Sequence, residues 1–108
     1  MGDVPKLTDL FTDTQREAEA GDPAAWAKLG DAYLYGMGVE YDSEKALECY
    51  RKGADAGDMF ACYAIFELNS NGVSLVGDDE AKEMCIKAAK LGHGKAAKFA
   101  ELYKWSLD

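Results

Sequence analysis

The chain has 108 residues, of which 48% are hydrophobic and 30% are charged, and its formal net charge is -8. This length supports one domain, and this composition is typical of a folded protein rather than a disordered one. The acidic surplus argues against nucleic acid and against anionic membrane surfaces as partners, because both attract basic proteins.

Targeting and membrane signals are not expected in this chain. Residues 1–6 contain neither a basic leader nor an apolar run, and no stretch approaches the roughly 20 apolar residues of a spanning helix. The three cysteines are an odd number without metal-like spacing, which predicts reduced, buried thiols. Because reduced thiols are typical of the cytosol, we expect a cytoplasmic protein.

The spacing of apolar residues predicts six helices and no strand. The first helix covers residues 6–20 and ends at Gly21, and the other five follow at short intervals. Each of these five helices begins with an N-cap residue or an acidic first turn, and these are Asp22, Asp42, Asp58, residues 78–80 and His93. An all-α fold is therefore predicted.

The chain also matches itself at a fixed offset. Residues 18–22 (AEAGD) reappear 36 positions later as residues 54–58 (ADAGD), and a weaker copy follows 35 positions after that at residues 89–93. A period in the middle thirties indicates a small helical unit that has been copied and stacked. Such stacks usually provide a surface for other proteins.

Residues 22–57 resemble a Sel-1-like repeat, a relative of the tetratricopeptide repeat. The positions that carry this resemblance are Ala25, Leu29, Gly30, Tyr33, Gly36, Gly38, Val39, Asp42, Lys45, Ala46, Tyr50, Lys52, Ala54 and Gly57. The second copy is looser, because Phe66 stands where the small Gly30 sat and Asn69 stands where Tyr33 sat. We expect Gly30 to allow the two helices of a pair to touch.

The resemblance implies a short right-handed α-solenoid of antiparallel helix pairs, with about six helices in one domain. We divide it into a capping helix at 6–20, a first repeat at 22–57, a second repeat at 58–92 and a half repeat at 93–108. In such a stack the outer faces of the two end units must be polar.

By resemblance, the first helix of each pair lines the concave wall of the stack. The partner-binding residues predicted on this wall are Asp31, Leu34, Tyr35, Phe60, Tyr63, Glu67, Lys95 and Lys98. Two interpretations stay open for each group. The aromatic residues either contact a partner or complete the core, and the charged residues either pair with a partner or are simply solvated.

An enzyme is not expected. The single histidine, His93, falls at a helix start and is interpreted as a substitute cap rather than a base. With scattered cysteines there is no nucleophile–base pair and no zinc set, so we predict no catalytic residue, no metal and no cofactor.

The main functional hypothesis is an adaptor or scaffold that binds another protein or a peptide along the concave wall. The alternative is a small inhibitor, such as an immunity protein, that neutralises a basic toxin or enzyme. The uneven charge of the chain suggests this alternative. Residues 1–58 hold 13 acids and 6 bases, a net charge of -7, whereas residues 59–108 hold 7 acids and 6 bases, a net charge of -1. A third hypothesis is homo-oligomerisation through an end of the stack; we expect a monomer or a weak homo-oligomer.

Overall fold

The computed structural model describes residues 6–73 and 75–108. Within these residues it contains six α-helices and no strand. The expectations that concern residues 1–5, including the absence of a secretory signal, lie outside the described residues. The helices are α1 (Leu7–Glu19), α2 (Pro23–Tyr35), α3 (Ser43–Asp55), α4 (Met59–Ser70), α5 (Asp78–Lys90) and α6 (Gly94–Leu102).

Four of these helices begin with the cap that the sequence predicts. The side chains of Asp22, Asp42 and Asp58 accept hydrogen bonds from the backbone N–H groups of Ala24, Lys45 and Ala61, at 3.1, 3.0 and 2.9 Å. The Nδ1 atom of His93 accepts from the Ala96 N–H at 3.2 Å, which confirms that this histidine is a cap. These bonds satisfy backbone donors that have no partner inside a helix.

Helix α5 begins differently. Its N-cap residue is Gly77, which has no side-chain acceptor, and the three acids Asp78, Asp79 and Glu80 occupy its first turn. There they interact favourably with the positive end of the helix dipole. The Asp78 carboxylate accepts a hydrogen bond from the Asn69 side-chain amide at 2.9 Å, and the same amide donates to the Val76 carbonyl at 3.0 Å.

The helices pack in chain order into an elongated stack of 52 × 25 × 25 Å. Small residues lie where neighbouring repeats meet. A Cβ atom placed on Gly53 of α3 would come within 2.8 Å of the Ala61 side chain on α4. The equivalent places in the next repeat are taken by Ala88 and Ala96, which are both completely buried. Close helix approach at each joint is therefore a repeated feature.

The two repeats fill their interiors in opposite ways. In the first repeat, a Cβ atom on Gly30 would lie 2.5 Å from the Tyr50 ring, so the α2 backbone lies directly against a ring supplied by α3. In the second repeat the equivalent residues are Phe66 on α4 and Cys85 on α5, both buried. The bulky residue is therefore on the second helix of the first repeat but on the first helix of the second repeat, and the small residue is on the opposite helix each time. Each pair thus combines one bulky and one small residue, which suits a densely packed interior.

The first helix is less covered than its apolar pattern suggests. Leu7, Leu10, Phe11 and Ala18 follow helical spacing, but only Ala18 is buried and Phe11 half-buried, whereas Leu7 and Leu10 are exposed. The reason is that α1 is the first helix of the stack and packs mainly against α2, through Ala18 and an edge-on contact between the rings of Phe11 and Tyr33. The apolar residues of α1 therefore extend beyond the surface that the neighbouring helix covers.

Candidate functional site

A recess of about 580 Å³ opens on the side of the stack where the first helices of the repeats line up. We call it the groove. Its walls come from α2, α4 and the beginning of α6, and its lining residues are Ala27, Asp31, Met59, Phe60, Tyr63, Ala64, Glu67, His93, Gly94 and Lys95. The lining combines small apolar residues, aromatic rings and three charged side chains.

Five of the eight predicted partner-binding residues line the groove, namely Asp31, Phe60, Tyr63, Glu67 and Lys95. Of these, Phe60 has 57% of its surface exposed whereas Tyr63 has only 9%. Phe60 is thus available to a partner, and most of the Tyr63 ring belongs to the core.

The other three predicted residues lie outside the lining of the groove. Tyr35 is 68% exposed at the end of α2, Leu34 is half-buried and packs against the core, and Lys98 is exposed on α6. The role of all eight residues in binding stays a prediction.

The carboxylate of Asp31 is held in place from beneath. The Tyr50 hydroxyl donates a hydrogen bond of 2.6 Å to Asp31 Oδ1, and the Tyr50 side chain is 1% exposed. Burial and then the hydrogen bond to Asp31 raise the pKa of Tyr50, so this hydroxyl remains a donor. The charge on Asp31 therefore has a fixed position on the groove wall.

His93 belongs to the groove, although the sequence indicates only its role as a cap. Its ring stacks on Tyr63, with ring centroids 4.1 Å apart, and meets the edge of Phe60 at 5.7 Å. Burial lowers the pKa of His93, so the imidazole is neutral near neutral pH and its Nδ1 atom serves the cap. The signal for this location was the repeat offset, which puts the start of α6 beside the first turns of α4.

The C-terminal end of the stack carries a second group of aromatic residues. The Phe66 and Phe99 rings are 5.1 Å apart, and Trp105 stacks on Tyr103 with centroids 4.9 Å apart. Lys82 of α5 lies over the Trp105 ring at 5.7 Å. Trp105, which follows α6, therefore covers part of the last layer.

Among residues 6–73 and 75–108 there is no group of three or more His, Cys, Asp or Glu side chains that could hold a metal ion. None of the helices in the same part is both long and apolar enough to cross a membrane.

The geometry of two stacked helix pairs agrees with a comparison of the sequence with known families. The Sel1 repeat model matches residues 23–58 and again residues 60–93. The chain belongs to the Sel1 repeat family. Sel1 repeats are typically protein–protein interaction modules, and the family is generally a non-catalytic scaffold.

A solved structure supports the same fold. It is the crystal structure of a protective antigen present in uropathogenic Escherichia coli strains, which displays an SLR (Sel1-like repeat) fold. The two proteins share 28% sequence identity with a TM-score of 0.79, over 90% of the present chain. The present chain spans only 21% of that antigen's chain.

Proposed function

We propose that this Sel1 repeat protein is an adaptor that binds a segment of another protein in the groove. The observation that carries the proposal is the exposed Phe60 ring, which stands in a recess among small apolar residues and charged side chains. An aromatic anchor surrounded by polar groups is typical of the energetic centre of a protein interface. The recess is as large as a small-molecule site, about 300–1,000 Å³, so it has room for side chains of a partner.

The proposal is tested with a photo-crosslinking amino acid at position 60 and, as a control, at position 41. Tyr41 is 62% exposed but does not line the groove. The protein crosslinked in the cell of origin is then identified, purified and titrated. We expect Phe60→Ala to weaken its binding about tenfold or more, since an interface anchor contributes at least about 1.4 kcal/mol. Tyr41→Ala should leave it within about twofold.

Because the Phe60 side chain is largely exposed, Phe60→Ala should leave the free energy of unfolding within about 0.5 kcal/mol of the wild type. Equal binding of the purified partner by the wild type and by Phe60→Ala would contradict the groove as the binding surface.

A second candidate function is the inhibition of a basic enzyme, which is favoured by the acidic surplus of residues 1–58. An inhibitor of this kind associates quickly because its charge steers the encounter, so its association rate falls steeply as salt is added. An association rate that changes little with salt favours the adaptor. In either role we propose a cytoplasmic location, which is supported by the three buried, unpaired thiols.

A further inference from the structure

Asp31 and Glu67 form the acidic wall of the groove. They occupy the same register on α2 and α4, one repeat of 36 residues apart, and both line the recess. Their charges act on the same buried hydroxyl: after burial and the hydrogen bond to Asp31, Glu67 also contributes to the raised pKa of Tyr50. The two carboxylates therefore converge on one region of the groove.

Within the described residues, no nitrogen of a Lys, Arg or His side chain lies within 4 Å of either carboxylate. The Tyr50 hydroxyl donates to Oδ1 of Asp31, which leaves Oδ2 available to a further donor. The nearby His93 is neutral near neutral pH, because burial lowers its pKa. The acidic wall is therefore not neutralised by the part of the chain that the structure describes.

Positive charge in the groove lies at the other end. Lys95, at the beginning of α6, is the single Lys or Arg among the described residues that line the recess. Two carboxylates thus stand at the α2–α4 end and one ammonium group at the α6 end. A segment that covers the carboxylates without pairing them leaves them desolvated, which is unfavourable.

We propose that the partner segment inserts a cationic side chain, arginine or lysine, between Asp31 and Glu67, next to an apolar side chain that packs against Phe60. This inference rests on the proposed function of the groove. Arginine suits the place well, because its guanidinium group donates to two carboxylates at once and stacks on aromatic rings. The small side chains of Ala27 and Ala64 leave room in the recess for the apolar neighbour.

The probe is the blocked tripeptide acetyl-Leu-Arg-Leu-amide, titrated into isotopically labelled protein and followed by two-dimensional amide NMR. The matched control peptide has citrulline, a neutral isostere, in place of arginine. We expect shifts at the amides of the groove with a dissociation constant in the millimolar range. Binding of the citrulline peptide should be weaker by roughly fivefold or more, which corresponds to about 1 kcal/mol for a charged pair.

Two double variants have the same change in composition and charge. Asp31→Asn/Glu67→Gln removes the acidic wall and should lower the affinity for the arginine peptide to that for the citrulline peptide. Asp79→Asn/Glu83→Gln changes two acids of α5 that do not line the groove, and it should bind the arginine peptide within about twofold of the wild type. Glu67→Gln alone, at an exposed side chain, tests the same point if the Asp31 variant is unstable.

The possible failures are distinguishable. If both peptides bind in the groove with equal affinity, the inference about the cationic side chain is wrong and the proposed function stands. If the arginine peptide shifts no amide of the groove at millimolar concentration, the inference is also overturned. In that case the crosslinking at position 60 decides independently whether the groove binds a partner.

Discussion

Gly30 is the position where a single methyl group tests the packing of the first repeat most directly. In Gly30→Ala the new Cβ would lie 2.5 and 2.6 Å from two carbon atoms of the Tyr50 ring, whereas carbon atoms in contact are normally about 3.5–4.0 Å apart. The ring cannot turn away, because it is 1% exposed and its hydroxyl is bonded to Asp31. Helices α2 and α3 must therefore move apart.

The expected loss of stability is the difference between two effects. Overpacking a well-filled core costs about 1–3 kcal/mol, whereas alanine in place of glycine stabilises a helix by about 1 kcal/mol. Because the overlap with the Tyr50 ring is severe, we place the overpacking cost at about 2–3 kcal/mol and expect Gly30→Ala to lower the free energy of unfolding by about 1–2 kcal/mol. For a domain of this size this corresponds to a fall in melting temperature of roughly 4–15 °C.

Thermal and urea unfolding followed by circular dichroism measure this loss, with Gly94→Ala as the matched control. Gly94 lies in the first turn of α6, and a Cβ atom there would meet nothing within 4 Å, so this variant should be as stable as the wild type or more so. In a Tyr50→Ala background, which removes the ring, Gly30→Ala should no longer destabilise. A Gly30→Ala protein as stable as the wild type, or an equal loss in both backgrounds, would refute the packing argument.

Two further predictions concern pH. Burial lowers the pKa of His93 below its usual 6.5, while Glu67 opposes the shift and Lys95 adds to it. The free energy of unfolding should therefore fall as the pH drops from about 7 to 5, because the folded protein resists protonation of this ring. The fall should be smaller in His93→Asn, which keeps an acceptor for the helix cap. If urea unfolding shows the same dependence of stability on pH for the wild type and His93→Asn, this prediction is wrong. Burial and the bond to Asp31 raise the pKa of Tyr50 above its usual 10, so stability should decline above about pH 10. Tyr50→Phe should flatten that decline and should lower the free energy of unfolding by about 1–3 kcal/mol near neutral pH. An equally steep loss of stability above about pH 10 in Tyr50→Phe would contradict this prediction.

The helices and their caps could be predicted from the sequence because they depend on local chemistry. Asp22, Asp42 and Asp58 recur at fixed places in the repeat, and each accepts a backbone hydrogen bond at a helix start. Gly30 was expected to allow close helix contact, and the distance to Tyr50 confirms it. Here a residue type and its spacing determine the geometry without reference to distant parts of the chain.

Features that depend on the angle between repeats could not be predicted in the same way. Tyr63 and Phe60 share a predicted wall, yet Tyr63 is nearly buried and Phe60 mostly exposed, because His93, the N-cap residue of α6, covers the Tyr63 ring. The change of the bulky residue from the second helix of the first repeat (Tyr50) to the first helix of the second repeat (Phe66) is also visible only when the two repeats are superimposed. Periodicity shows which residues face inward, but not which of two facing residues fills the space.

The placement of bulk inside each repeat has an evolutionary consequence. Gly30 meets Tyr50 inside the first repeat, and the equivalent positions of the second repeat again hold one large and one small residue, Phe66 and Cys85. Where neighbouring units meet, Gly53 and Ala61 in one joint and Ala88 and Ala96 in the next are small residues at matching positions. Duplication or loss of a whole unit by recombination would consequently join surfaces that already match at these small positions, while the interior of each unit can diverge.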